Sequence, residues 1–542
     1  MTDLLATARA WADADPHPGD RAEIDALIEA GDTAELTRRF AGPLTFGTAG
    51  LRGPLRAGPA GMNAAVVIRA AAGLARYLLD EGHAGGGVVV GFDARRRSDE
   101  FARITAEVLT GAGFAVQVLP KALPTPVLSF AVRHLGCVAG VMVTASHNPP
   151  ADNGYKIYLG DGAQLVPPAD RRIEAAIAAV GPAREVPRSD GWGTLGDDVE
   201  ADYVAAVERA LEPDRVDVAA RTHLTVAYTA LHGVGAETTR VAFAAAGFLP
   251  PHSVHEQENP DPAFPTVAFP NPEEPGALDL LKALAGRVDA DVAIAEDPDG
   301  DRCAVVCQGR QLTGDEVGGL LADWLLRRGV RGTYAASLVS GSLVHALAGA
   351  HGVRFAETPT GFKWIIRAGT DEEPLVFGYE EALGYAVTPT VVRDKDGISA
   401  ALAVALLAAE LKATGRTLLD RLDELAVEHG LFVTGQLAVR VEDLSLITGA
   451  MARLRAHPPA RLLGREVAFT DLAAEDPPVD AVRLLGDGIR VIVRPSGTEP
   501  KLKAYLETVV PVHDDAGVIA ARGRGEEELD QLRAEMARAL GL

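Results

Sequence analysis

Short apolar runs that stop abruptly in polar turns dominate this chain and limit what it can fold into. Val88-Val89-Val90-Gly91-Phe92 is followed by a helix-period stretch over residues 101–109 and then by Ala115-Val116-Gln117-Val118-Leu119. Strands this short and this apolar on both faces have to be covered by helices. The strand–helix–strand rhythm therefore predicts α/β architecture with buried, largely parallel strands. The rhythm restarts at residues 224–228, after a helical stretch over 202–211 and the turn Glu212-Pro213-Asp214, and again where 315–326 reads as helix and 332–338 as strand. Past Gly430 the segments 488–493 and 501–506 alternate instead, which suits an open sheet with helices on one face.

The resulting expectation is three similar mixed α/β domains plus a smaller C-terminal α+β domain. Their boundaries are 1–211 (with an N-terminal helical extension), 212–312, 313–429 and 430–542. Trp11, Ile24, Leu27, Ile28, Leu36 and Phe40 recur at helical spacing in the extension, broken by Asp15-Pro16-His17-Pro18-Gly19. Residues 526–540 read as a closing amphipathic helix, and the glycines of 513–525 suggest a surface loop before it.

Length and charge narrow the function classes. A chain of 542 residues, 47% hydrophobic, has room for about three or four globular domains. The net charge of −23, from 75 acidic against 52 basic residues, repels nucleic acid and anionic lipid, so neither is an expected partner. A phosphorylated ligand would be repelled too, unless cations are gathered locally at its site. Cys137, Cys303 and Cys307 include no C-x-x-C pair, and the two in Cys303-Ala304-Val305-Val306-Cys307 read as buried strand residues. The first five residues do not resemble a secretory leader, and the apolar run 400–409 is too short to span a bilayer, so the chain is expected to be soluble and cytoplasmic.

Three polar turns carry the chemistry. Thr144-Ala145-Ser146-His147-Asn148-Pro149 follows the apolar run 138–143. A lone serine is ordinarily a turn residue, and G-x-S-x-G is absent around it. Its place at a strand end, with Asn153-Gly154-Tyr155-Lys156 able to return a lysine towards it, raises its standing. The chain has only eight lysines, and Lys156, Lys363, Lys395 and Lys501 sit beside glycine or proline turns. Lysine can give up a proton and arginine effectively cannot, which suits proton transfer. Asp297-Pro298-Asp299-Gly300-Asp301-Arg302 places three like charges within five residues, costly unless a cation is bound; Gln308 at the twelfth position rules out an EF-hand. Three carboxylates completed by a phosphoryl oxygen suit Mg²⁺. Arg494-Pro495-Ser496-Gly497-Thr498-Glu499-Pro500-Lys501 offers Ser496, Thr498 and the Gly497 backbone as phosphate donors, with charge from Arg494 and Lys501. Gly233-Val234-Gly235 hints at a dinucleotide loop, but Thr238 replaces the third glycine. A nucleophile, a cation site and an anion cradle are together the parts that phosphoryl transfer needs.

In this order the motifs resemble those of the α-D-phosphohexomutase family over nearly the whole chain. The resemblance implies four domains around a central cleft. Phe46–Gly53 resembles the family's first loop, implying that Arg52 helps hold the transferring phosphate, and 144–149 resembles its active-serine motif, implying that Ser146 carries the phosphoryl group. It further implies Lys156 as general acid/base with His147 assisting, Mg²⁺ on Ser146, Asp297, Asp299 and Asp301, and Arg302 beside the phosphoserine. Lys363, Glu380, Arg494, Ser496, Gly497, Thr498 and Lys501 would bind substrate. Many members read G-E-x-S-G-H where this chain has Gly378-Tyr379-Glu380-Glu381-Ala382-Leu383-Gly384-Tyr385. Glu380 then matches the glutamate, Ala382 replaces the serine hydroxyl, and the sugar is left open. With Trp11 and residues 358–364, this version is similar to the branch holding phosphoglucomutases and phosphopentomutases. The implied activity interconverts sugar 1- and 6-phosphates through a bound sugar 1,6-bisphosphate, glucose first and mannose second. The rivals are a phosphopentomutase, a glucose 1,6-bisphosphate synthase and, more distantly, a sugar phosphatase. The last domain is expected to hinge, and the enzyme to work as a monomer or homodimer on a small-molecule sugar phosphate.

Overall fold

The computed structural model describes residues 2–47, 50–441, 443–475, 478–495 and 501–541. They form two compact units, Met1–Gln311 with Gly384–Glu410, and Leu312–Leu383 with Leu411–Leu542.

The first unit holds two sheets. Strands β1 (Leu51–Pro54), β2 (Gly87–Phe92), β3 (Ala115–Val118), β4 (Ala139–Val143), β5 (Asp152–Leu159) and β6 (Gly193–Thr194) lie in the order β1-β5-β4-β2-β3-β6. The pairs β2–β3, β2–β4 and β3–β6 are parallel, whereas β4–β5 and β1–β5 are antiparallel. The sheet is thus more mixed than the apolar runs suggested. The turn after β4 is too short for a parallel crossover, which takes a dozen or more residues, so the chain reverses and Lys156 lands opposite Met142. The second sheet orders β7 (Val226–Thr229), β8 (His252–Ser253), β9 (Val292–Glu296), β10 (Cys303–Cys307) and β11 (Arg310–Gln311) as β11-β10-β9-β7-β8. Here β9 and β10 form an antiparallel hairpin closed by the aspartate turn, with Cys303 opposite Glu296 and both strands wholly buried.

In the second unit β12 (Thr333–Ser337) runs parallel to both β13 (Arg354–Thr358) and β14 (Leu375–Glu380). The helix Gly314–Arg327 before β12 starts with a capping box in which Thr313 and Glu316 satisfy each other's backbone groups. The C-terminal sheet is antiparallel around the long pair Leu431–Arg440 and Lys501–Val510. Val491, Val493, Leu502, Ala504 and Leu506 on one face pack against Ile447, Met451 and Leu454 of one helix and Leu529, Leu532 and Met536 of another. This is the open sheet that the alternating pattern predicts. The expected loop over 513–525 is instead part of the helix Asp515–Leu540. Asp514 caps it by accepting the Gly517 N–H, Val518 and Ala521 bury against Val510 and Val512, and Gly525 sits where a Cβ would strike Val433. Gly525 serves close packing, not a turn, and Gly523 faces open space.

The run 400–409 lies in the helix Gly397–Ala413, apolar on every side because nearly all of it is buried. Among the described residues no single helix is long and apolar enough to cross a membrane.

The helices Thr2–Ala14, Pro18–Glu29 and Thr33–Arg39 pack Ala8, Ala12, Ile24 and Leu36 about Ala57. Asp20 fastens them to the first sheet layer: it accepts the Ala64 N–H at 3.1 Å and a forked pair from Arg97 at 2.8 and 3.1 Å. Nearby Asp15 is 1% exposed, accepts the His17 N–H through Oδ1, and leaves Oδ2 without a partner. Burial pushes its carboxyl up to about 6, against the lowering effect of the His17 N–H. A carboxyl raised on folding binds its proton more tightly in the native state, so stability falls as pH rises through that value. Asp15→Asn is therefore expected to raise the unfolding midpoint at about pH 8, by the equivalent of about 1–3 kcal/mol, and by about half as much at about pH 5. Calorimetry at both pH values checks this; an equal gain at the two, or a loss, contradicts it.

Candidate active site

Ser146 sits past the C-terminal end of β4, where side chains on an α/β sheet face ligand. Its backbone is left-handed, φ 52°, unusual for a residue with a Cβ. The Ser146 N–H donates to Thr144 Oγ1 at 2.9 Å, and that hydroxyl donates to Asp93 Oδ2 at 2.6 Å. The turn sends Ser146 Oγ to Asp297, donating to Oδ2 at 2.6 Å, with His147 Nδ1 3.1 Å away. Adjacent side chains usually diverge; here the left-handed turn brings serine and histidine together. Burial, then the Arg302 and Arg52 charges, hold the His147 pKa well below its ordinary value, so its imidazole is neutral at pH 7.

The aspartate turn comes from the other sheet of the same unit. Asp297, Asp299 and Asp301 are all buried, with one oxygen from each lying within 4.8 Å of the others. Gly300 takes φ 68° to close the turn, and Gly235 leaves room for the Glu296 carboxylate, which a Cβ would meet at 2.0 Å. The Gly233-Val234-Gly235 sequence thus makes room for this turn. Asp297 Oδ1 accepts the backbone N–H groups of Asp301 and Arg302. Lys156 Nζ donates to Asp299 Oδ2 at 2.7 Å and Asp301 Oδ2 at 2.9 Å; Lys395 Nζ lies 3.4 Å from the same Asp301 oxygen.

The three carboxylates lie close enough to repel one another, and the Lys156 and Lys395 ammoniums with the Arg52 and Arg302 guanidiniums act on them unequally. Burial raises Asp297, and the Asp299 and Asp301 charges raise it further, well above the usual carboxylate range. Burial also pushes Asp301 up, but the Lys156 and Lys395 ammoniums outweigh it and keep Asp301 below that range. Burial opposes the Lys156 charge, yet Asp299 and Asp301 lift its pKa above the ordinary lysine value. Asp299 Oδ1 and Asp301 Oδ1 are buried with no partner. Two orphaned carboxylate oxygens beside a buried serine hydroxyl, in a hard all-oxygen set, fit a divalent cation such as Mg²⁺.

Arg52 on β1 reaches Asn148 Oδ1 at 3.3 Å, beside the serine turn. The Arg302 guanidinium pairs with Glu273 at 3.1 Å while its N–H holds Asp297. In the second unit Lys363 lies on the short helix after β13, Glu380 ends β14 and Ala382 follows it, so all three lie at or past the C-terminal ends of parallel strands. Arg494 and Lys501 lie on neighbouring antiparallel strands, on which Arg494 faces Lys503. Ser496, Gly497 and Thr498 lie outside the described residues.

Several contributors were not picked out from the sequence. Thr125 donates to Asp299 Oδ2 at 2.6 Å, and Asp93 anchors the serine turn through Thr144 and Ser98. Asp93 had a readable signal, a carboxylate directly after the apolar run 88–92. Thr125 had none, because a Leu-Pro-Thr-Pro stretch reads as an ordinary helix start. Glu381 is half-buried and accepts from Ser337 and Ser340, and desolvation, then Glu380 and Asp315, push it up to about 7.

Comparison with known proteins identifies the family. The phosphoglucomutase/phosphomannomutase alpha/beta/alpha domains I, II and III match residues 43–183, 201–310 and 313–427, and the C-terminal domain of the same family matches 437–514. A Haemophilus influenzae protein named "Probable phosphomannomutase" is 44% identical over 489 residues, spanning 88% of this chain and 96% of its own. The phosphopentomutase of Mus musculus is 34% identical over 561 residues, spanning 92% and 89%. A crystal structure of a phosphoglucomutase/phosphomannomutase family protein from Burkholderia thailandensis covers 90% of this chain and 97% of its own, with TM-score 0.66 and 21% identity, which supports the fold alone. The chain belongs to the phosphoglucomutase/phosphomannomutase family and is a phosphosugar mutase, an intramolecular phosphotransferase.

Proposed function

We propose that this mutase interconverts hexose 1-phosphate and 6-phosphate, glucose first and mannose second, through a phosphoserine at residue 146 and a bound sugar 1,6-bisphosphate. The observation that carries the reading is the 2.6 Å hydrogen bond from Ser146 Oγ to Asp297, beside the two partnerless oxygens of Asp299 and Asp301. Asp297, Asp299, Asp301 and Ser146 would hold Mg²⁺, whose charge neutralises the oxygens of the transferring group. Lys156, charged and buried, gives a proton to the serine oxygen as the phosphoryl group leaves and takes it back on return. Neutral His147 orients that hydroxyl, and Arg52 and Arg302 bind the phosphoryl oxygens. Lys363, Glu380 and Ala382 face the sugar. Arg494, Ser496, Gly497, Thr498 and Lys501 hold the phosphate that is not reacting. The four-domain division 1–211, 212–312, 313–429 and 430–542 belongs to the same proposal.

A second reading has a specific basis. Ala382 offers no hydroxyl donor to a hexose, and the Mus musculus relative is named a phosphopentomutase. On that reading the pair is pentose 1- and 5-phosphate.

Ser146→Ala is expected to lower isomerase activity on the order of 10⁴-fold or more while calorimetry still detects sugar-phosphate binding; substantial retained turnover removes the phosphoserine. Asp299→Asn should cut activity by about 100-fold and weaken Mg²⁺ binding with it, and a variant with unchanged Mg²⁺ dependence takes that carboxylate out of the metal site. A ³¹P NMR panel of glucose, mannose and ribose 1-phosphates settles the sugar. Glucose 1-phosphate should turn over fastest with no net inorganic phosphate; faster ribose 1-phosphate turnover reverses the order.

A further inference from the structure

One buried cation packed against the serine turn has no part in the scheme above. Arg95 lies just beyond β2, with its side chain 1% exposed. Its Nη2 donates to Ser146 O at 2.6 Å and Asn148 O at 2.5 Å, and its Nη1 to Pro149 O at 2.8 Å and Asp152 O at 3.2 Å. Its Nε lies 3.5 Å from Asp93, the carboxylate that also holds Thr144. Phe264, from the second sheet's irregular segment, lays its ring 5.0 Å from the guanidinium carbon.

Both peptide groups of Ser146 are therefore tied to one pair of residues. The N–H is held through Thr144 to Asp93, and the C=O is held directly by Arg95. The Asn148 N–H closes the turn onto Ala145 O at 3.1 Å, the Asp93–Arg95 pair fixes both sides of Ser146 within it, and the φ of 52° is what aims Oγ at Asp297. A planar fork with donors spread along two edges can bind four carbonyls at once and stack on a ring; a lysine ammonium cannot.

We propose that Arg95 is a positioning residue for phosphoryl transfer, fixing the direction of the Ser146 hydroxyl without touching substrate. The inference rests on Ser146 being the phosphoryl carrier. Misaiming a nucleophile by about 1 Å costs on the order of 10²-fold in rate while leaving substrate contacts in place.

The test is ³²P labelling of full-length enzyme by labelled glucose 1,6-bisphosphate, followed by peptide mapping, alongside kcat and KM. In Arg95→Lys the labelling rate and kcat should fall together by about 100-fold, with KM for glucose 1-phosphate within about threefold of wild type. A labelling rate within about twofold of wild type, or a change confined to KM, overturns the proposal. Should Arg95→Lys fail to melt cooperatively, Phe264→Leu keeps the fork and removes its ring; about a threefold to tenfold slower labelling is expected, and the wild-type rate overturns the proposal. Wild-type enzyme labelled at a residue other than 146 sinks the serine reading itself, which separates that failure from failure of the role given to Arg95.

Discussion

A buried ammonium held between two buried carboxylates is the contact on which the rest of the site depends. Lys156 stands on β5 of one sheet; Asp299 and Asp301 stand on the hairpin turn of another. Charges removed from water are tolerated only when paired and hydrogen-bonded, so this contact fixes the two sheets of the first unit against each other at one point. Thr125 adds a second tie, donating its backbone N–H and its hydroxyl to Asp299. With these in place the turn cannot drift from the serine, and Asp297 stays 2.6 Å from Ser146 Oγ.

The same contact explains how an acidic protein can handle an acidic substrate. The overall charge of −23 works against phosphate binding, but near the turn Lys156, Lys395, Arg52 and Arg302 are concentrated. Burial lowers the pKa of Arg52, and the Asp299 and Asp301 charges work to restore it. Cations and carboxylates hold each other charged in a place where water cannot, so neither set is stable there alone.

The second unit shows a quieter version of this pattern. The turn after β12 is gripped by carboxylates from several elements: Asp315 accepts the Gly341 N–H, Glu507 accepts the Ser342 N–H, and Glu381 accepts from Ser337 and Ser340. Arg490 donates to Ser340 O and to Leu338 O on the same turn. Arg490 and Glu507 belong to the C-terminal sheet, so that sheet and the β12 layer share one polar seam.

Much of this was legible in the chain itself. Apolar runs covered on both faces dictate an α/β fold, since buried strands need helices over them, and the three polar turns mark where that core gives way to chemistry. The alternating C-terminal segments likewise settle a one-sided sheet. What local pattern could not carry was direction and distance. The reversal at β5 follows from a turn too short for a crossover, and the helix over 515–525 is held where Val518 and Ala521 bury against Val510 and Val512 and Gly525 packs against Val433, the last a contact between residues far apart in sequence. Arg95 reads as one arginine among many until its four carbonyl partners are in place. The sequence alone determined which side chains are available for phosphoryl transfer; tertiary structure decided which of them meet, because hydrogen bonds and buried ion pairs depend on ångströms that residue spacing does not encode.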